Sequence, residues 1–101
     1  MNINIEHGIY NCGDNKEVYF RSLKKYFDRY SSPIELDHLN FEQKYEFFHK
    51  MKGISSTLGL ENLSKLLKSF FEKKLILNEK DKESFFLILK ETLDEIIQLC
   101  D

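Results

Sequence analysis

Apolar residues recur every three to four positions along most of the chain, which is the spacing of amphipathic α-helices. This periodicity predicts four long helices, over residues 14–30, 41–58, 60–77 and 79–99. A short helical piece is expected over residues 34–39, before the second long helix. Only residues 1–5 alternate between polar and apolar side chains as a β-strand would.

Three of these helices begin at a capping residue that is followed, three positions later, by an acid or amide. The pairs are Asp14 with Glu17, Asn40 with Gln43 and Asn78 with Asp81. In such a capping box each side chain accepts a hydrogen bond from a backbone N–H group that the helix leaves free. Residues 31–33 end the first helix, and Gly59 is expected to end the second in the left-handed conformation.

Four amphipathic helices with short connections predict an all-α protein. We expect one domain over residues 1–101, folded as an antiparallel up-and-down four-helix bundle. A short N-terminal segment and a short additional helix before the second long helix complete this expected fold. The composition agrees, because 42% hydrophobic and 32% charged residues with a single proline are typical of a compact helical chain.

Charge and hydropathy narrow the range of partners and locations. The formal net charge of -2 argues against nucleic acid as a partner. No stretch approaches the roughly 20 apolar residues of a membrane span. Residues 1–7 lack the basic start and apolar run of a signal peptide. We therefore expect a cytoplasmic protein that does not bind membranes, and we also expect a monomer. Cys12 and Cys100 should be reduced thiols, and a disulfide joining the two ends is possible but has no support in the sequence.

The residues around His49 share one face of the second long helix. On a helical wheel Tyr45, Lys52, Gly53 and Ser56 lie within about 60° of His49, and the apolar stripe is centred about 150° away, so His49 should face solvent. A glycine inside a helix costs about 0.5–1 kcal/mol relative to alanine. Gly53 therefore either gives a partner access to the imidazole or packs against a neighbouring helix. Lys52 can reach an anion on the ring, which suggests transient phosphorylation of the histidine.

This segment resembles the signature of the histidine-containing phosphotransfer (HPt) domain of two-component signalling. In that family a histidine is followed by a variable residue, an apolar residue, lysine and glycine, with a second glycine six positions further on. The signature is present here as His49, Met51, Lys52, Gly53 and Gly59. The first helix is similar to the usual HPt opening at Gly13, Asp14, Glu17, Val18, Tyr19, Leu23 and Phe27.

The resemblance implies a phosphoryl carrier and not an enzyme, which agrees with the lack of a glycine-rich phosphate loop for ATP. His49 would accept a phosphoryl group from one receiver-domain aspartate and pass it to another, while Lys52 balances the phosphoryl charge. The expected partners are response-regulator receiver domains, a hybrid histidine kinase, or both. Tyr45, Gly53 and Ser56 would form the docking face, although Ser56 could equally be a small exposed residue. No cofactor or metal is expected on this chain, because the receiver would supply Mg²⁺.

The sequence departs from the family at one position. Many HPt domains have Gln or Glu 22 residues after the histidine to hydrogen-bond the ring, whereas here that residue is Phe71. Another group would then orient the imidazole, and Glu72 is the nearest candidate. The initial Met1 favours a free-standing protein over a domain cut from a larger kinase, and the second possibility stays open.

Two functions other than phosphotransfer also fit parts of the sequence. The first is a di-iron centre, because Glu35 to His38 and Glu46 to His49 both have the Glu-x-x-His spacing of such sites. The expected outward direction of Glu46 and His49 argues against it, and His7 and His38 have no supporting context. The second is a non-catalytic helical interaction module that docks signalling partners without phosphoryl transfer.

Overall fold

The protein is all-α. The computed structural model describes residues 2–101, in which we number five α-helices: α1 (Ile5–Asn11), α2 (Lys16–Tyr30), α3 (Phe41–Thr57), α4 (Glu61–Glu72) and α5 (Glu79–Cys100). A single turn of 3₁₀-helix over Leu36–His38 precedes α3, within the predicted short helical piece. Helix α3 packs on α4, α4 on α5, and α5 on α2, while α1 contacts both α2 and α3. The all-α prediction is therefore confirmed.

The sequence pattern did not predict a helix in the N-terminal segment. Met1 lies outside the described residues, and the alternating pattern after it forms only an isolated bridge between Ile3 and Leu60. The seven residues of α1 follow instead, capped by the Asn4 side chain. Gly8 allows this helix to dock, because a Cβ atom there would lie 2.2 Å from the ring of Tyr19. Such a short helix depends on tertiary contacts, which the local sequence pattern does not reveal.

Two of the three predicted capping boxes are present, at the starts of α3 and α5. The third is wrong, because Asn15 rather than Asp14 caps α2, accepting a hydrogen bond from the N–H of Val18 at 3.1 Å. Gly13 and Asp14 have φ of 73° and 58°. They form a left-handed turn that redirects the chain between α1 and α2, so the helix cannot begin at Asp14.

Helix α4 ends five residues earlier than the predicted boundary at residue 77. Lys74 and Leu75 have φ of 57° and 60°, so the chain leaves the helix in the left-handed conformation. The N–H of Leu75 donates to the carbonyl of Phe70 at 2.8 Å, which closes the last turn. This turn buries the side chain of Leu75, which is only 6% exposed. Burial of that leucine offsets the strain of a non-glycine residue in this conformation.

The core contains both aromatic packing and buried hydroxyl groups. Phe48 of α3 meets Phe70 of α4 and Phe85 of α5 edge-on, with ring centroids 5.6 and 5.3 Å apart. Helices α2 and α3 are bridged by tyrosines: the Tyr26 hydroxyl bonds that of Ser55 at 2.9 Å, and Tyr19 donates to a carbonyl at 3.1 Å. These long side chains lie between the two helices. They leave a groove along their outer edge, where the candidate site lies.

Burial of the two bridging tyrosines changes their acidity. It raises the pKa of Tyr19 to about 12 and raises that of Tyr26 further. Both phenols therefore stay protonated at neutral pH and can donate hydrogen bonds.

Cys12 and Cys100 are free thiols. None of the helices within residues 2–101 is both long and apolar enough to cross a membrane.

Candidate functional site

The imidazole of His49 lies near the middle of α3, on the outer face of the protein. His49 is exposed, whereas Phe48 and Met51 beside it are fully buried, so the helix separates the core face from the site face as the wheel predicts. The capping box at Asn40 and packing on α4 hold this helix in place. His49 therefore projects from a helix that is held in place at its start and along one face. A group that takes part in chemistry must be positioned in this way.

Two aromatic side chains contact the imidazole, and a lysine lies over one of them. We call these three side chains the aromatic cluster: Tyr45, Phe71 and Lys52. The Tyr45 ring stacks on the imidazole with centroids 5.7 Å apart and an interplanar angle of 8°. Phe71 reaches over from α4 and meets both rings edge-on, at 5.5 Å from Tyr45 and 6.3 Å from His49. The Lys52 ammonium lies 5.2 Å from the centroid of the Phe71 ring.

Within residues 2–101 the neighbours of the His49 imidazole in this cluster are aromatic rings. Phe71 stands at the position where the sequence departs from the HPt pattern, and it contacts the imidazole through its ring instead of through a hydrogen bond. Glu72, the candidate suggested by the sequence, is exposed and makes no hydrogen bond to His49. Within residues 2–101 the only histidine in an ion pair is His38, with Glu35. The nitrogens of His49 make no hydrogen bond or ion pair within this part of the chain.

Gly53 has open space around it. A Cβ atom built on Gly53 would meet no atom within 4 Å. Close packing of a neighbouring helix would place atoms near this Cβ position, so the structure does not support that alternative. Partner access to the imidazole stays a prediction. Gly59 is different, because its φ is 75° and a Cβ atom there would lie 2.2 Å from a backbone oxygen of Asn4. Gly59 ends α3 and lets the N-terminal segment pass, as predicted for a helix terminator.

Ser56 has a structural contact that the sequence did not suggest. Its hydroxyl is hydrogen-bonded to that of Ser64 on α4, with the two oxygens 2.6 Å apart. Ser56 itself stays exposed. It therefore links α3 to α4 at the edge of the predicted docking face, and its hydroxyl is already engaged within the chain.

A groove of about 520 Å³ runs along the other side of His49, between α2 and α3. We call it the α2–α3 groove. Its α3 wall includes His49, Lys50 and Gly53, and its α2 wall includes Lys25 and Arg29. Sequence reasoning missed the two α2 residues, because only the packing of the helices brings them beside a histidine that is 20 to 24 positions away. The one sequence feature that marked Lys25 and Arg29 is that these two cations lie one helical turn apart on α2.

The two Glu-x-x-His segments lie on the surface. Glu35 and His38 contact each other in the 3₁₀ region, with side chains 69% and 77% exposed. Glu46 and His49 are also exposed, on α3. In the part of the chain that the structure describes, no three His, Cys, Asp or Glu side chains come together as a metal site would require. The positions of the two motifs therefore do not match an inward-facing di-iron centre.

Comparisons of this chain with protein-family models, curated proteins and solved structures find no match. The functional argument therefore depends on the residues themselves. These are an exposed histidine in contact with two aromatic rings, a lysine on the same face of the helix, an open glycine beside it, and a groove lined by three cations.

Proposed function

We propose that this protein is a histidine phosphotransfer protein of a two-component phosphorelay. His49 accepts a phosphoryl group from the aspartate of one receiver domain and passes it to the aspartate of another. The observation that carries this proposal is the exposed imidazole on a rigid helix, with Lys52 and the open position of Gly53 on the same face. The proposed fold is an antiparallel up-and-down bundle of α2, α3, α4 and α5, which their pairwise packing supports.

In the proposed transfer, the imidazole nitrogen farther from the backbone, Nε2, is the nucleophile. A neutral imidazole has a free electron pair for attack. The Nε2–P bond forms as the bond between phosphorus and the aspartyl oxygen breaks, and the carboxylate leaves with the electron pair. The reverse reaction delivers the group to the next receiver. Because such transfers depend mainly on positioning and charge, a carrier needs few groups of its own.

Lys52 supplies the positive charge in this proposal. Its ammonium now lies over the Phe71 ring, a cation–π contact worth about 0.5–1 kcal/mol at an exposed site. A hydrogen bond to a charged group contributes more, about 1.5–3 kcal/mol. A phosphoryl group on His49 would therefore draw the ammonium away from the ring. The receiver would bring Mg²⁺ and the remaining catalytic groups, so this chain would act as a carrier without kinase activity.

The second candidate is a helical module that docks signalling partners without phosphoryl transfer. The observation in its favour is the exposure of two aromatic side chains on α3, Phe41 at 65% and Tyr45 at 46%. Aromatic surface of this kind is common at protein interfaces. This module would bind its partner with or without the His49 imidazole, whereas a phosphoryl carrier requires it.

The test is phosphoryl transfer from phosphorylated receiver domains to the wild-type protein and to His49→Gln. The matched control is His38→Gln, which removes another exposed histidine. We expect an acid-labile, base-stable label on the wild type and on His38→Gln, and none on His49→Gln. Equal labelling of His49→Gln would refute the proposed site. A folded protein that binds receivers but takes no label from any of them would support the interaction module.

A further inference from the structure

The α2–α3 groove has a uniform charge that the chain as a whole does not have. Lys25, Arg29 and Lys50 line it together with His49, and none of its lining side chains is acidic. The complete chain has 17 acidic and 15 basic residues. A region with three cations and no acid is therefore a local concentration of positive charge on a protein with a slightly negative total.

The cations of this groove are available to a partner. Ion pairs within residues 2–101 engage other basic side chains: Arg21, His38, Lys73 and Lys82. Lys25, Arg29 and Lys50 belong to none of them, and all three are exposed. The Arg29 guanidinium lies 5.9 Å from the centroid of the Tyr30 ring, which leaves its hydrogen-bond donors free.

The surface on the α4 side of His49 differs from the α2–α3 groove in both shape and charge. There the aromatic rings of Tyr45 and Phe71 stand against the imidazole. The groove beyond them, near Ser56, is smaller at about 350 Å³, and Glu61 lines it together with Lys65. An acidic partner would thus meet rings and mixed charge on the α4 side. In the α2–α3 groove it would meet open space at Gly53 and a lining with three cations and no acid.

From this asymmetry we infer that the receiver partner docks across the α2 side of His49 and seats an acidic segment of its surface in the α2–α3 groove. Lys25 and Arg29 contact that segment from α2, and Lys50 contacts it from α3. Gly53 lets the partner backbone come close to the imidazole. This inference rests on the proposed phosphotransfer and names the face on which the partner binds.

Exposed charges of this kind act mainly on the rate of association. Complementary charge steers the encounter and raises the association rate, and salt screens it over a Debye length of about 8 Å at physiological ionic strength. A carrier that serves two receivers in turn needs rapid binding and rapid release. Cations at the rim of the site favour fast association without a tight complex, which agrees with this requirement.

The test compares charge reversal on the two sides of His49. The α2 variant is Lys25→Glu/Arg29→Glu, and the matched control is Lys65→Glu/Lys68→Glu on α4, where both side chains are also exposed. The donor is the receiver domain that phosphorylates the wild-type protein fastest in a panel. Transfer is measured as kcat/KM at low and high salt. Circular dichroism checks that each variant is folded, and Lys25→Gln/Arg29→Gln provides a milder change.

For the α2 reversal we expect kcat/KM to fall about tenfold at low salt and to approach the wild-type value at high salt. The neutral α2 variant should have an intermediate rate, and the α4 control should stay within about twofold of wild type. A wild-type rate in the α2 variant, or an equal loss in the α4 control, overturns the docking inference.

A small-molecule phosphoryl donor separates failure of the docking inference from failure of the proposed function. Phosphoramidate needs no docked receiver. At high salt, where the groove charge is screened, it should therefore label His49 in the wild type and in all three variants. An unlabelled His49 in the wild type, or a labelled protein to which no receiver of the panel transfers, refutes the phosphorelay proposal and the docking inference with it.

Discussion

Replacing Phe71 with leucine is expected to release the His49 imidazole from its orientation against α4. The change removes the edge contacts of the Phe71 ring with Tyr45 and His49, at 5.5 and 6.3 Å, and the ring beneath the Lys52 ammonium at 5.2 Å. An aromatic pair contributes about 0.5–1.5 kcal/mol and an exposed cation–π contact about 0.5–1 kcal/mol. Because this cluster is partly open to solvent, we take the lower ends, a loss of about 1–2 kcal/mol in the free energy of unfolding.

Orientation and stability are measured separately in this experiment. Urea unfolding gives the change in stability. The NMR signals of the His49 ring protons report its position, because they sense the ring currents of Tyr45 and Phe71. In Phe71→Leu these signals should shift towards those of a free imidazole, and transfer from a receiver should slow. Phe71→Gln introduces the residue type of the HPt pattern and should restore the transfer rate through a hydrogen bond to the ring.

The matched control is Phe86→Leu on α5. Phe86 is 40% exposed and meets Phe85 edge-on at 5.1 Å, so it has a similar environment away from the site. We expect a comparable loss of stability with unchanged His49 signals and an unchanged transfer rate. The reasoning is refuted if Phe71→Leu also leaves signals and rate unchanged, or if Phe86→Leu alters them as much.

Three further outcomes follow from the structure. Gly53→Ala should raise the free energy of unfolding by about 0.5–1 kcal/mol in urea, since its Cβ atom meets nothing within 4 Å, and a loss of stability would contradict this. Tyr26→Phe should lower that free energy by about 1–3 kcal/mol, because the buried Ser55 hydroxyl loses its partner; a neutral result in the same assay would refute it. The Lys73 ammonium holds the pKa of Asp81 below its ordinary value, so this carboxylate stabilises the fold above about pH 4, and its contribution disappears as the pH falls through the folded pKa. Acid titration of Asp81→Asn, followed by circular dichroism, should show a weaker loss of stability below that pH, and an identical acid transition would exclude this contribution.

The helices with strong local signals were predicted from the sequence. Helices α3 and α5 begin at the predicted capping boxes and end within one or two residues of the predicted boundaries. In each, the apolar periodicity and the cap agree with the tertiary packing. The errors lie where long-range contacts outweigh local preference. Helix α1 depends on docking at Gly8, and α4 ends early because a left-handed turn buries Leu75.

The residues of the candidate site also fall into two groups, those that the sequence could place and those whose position depends on the packing of the helices. Residues on α3 could be placed together from the wheel alone, because one helix fixes their angular positions. The contact of Phe71 with the imidazole depends on the position of α4 relative to α3. The position of Lys25 and Arg29 in the groove beside His49 depends on how α2 packs against α3. The sequence identified Phe71 only as a departure from a family pattern. The structure shows that this departure provides an aromatic contact to the same ring.

Gly53 is the residue at which stability and the proposed function can be separated. Nothing in the fold requires a glycine there, because its φ is not left-handed and no atom lies within 4 Å of a Cβ position. Alanine at this position would make α3 more stable, so glycine gives the helix less stability than the position allows. Such local conflicts are expected at functional sites, where another requirement outweighs stability. The conflict lies one turn from His49, on the wall of the cationic groove, which is where a docking partner would require the helix surface to be bare.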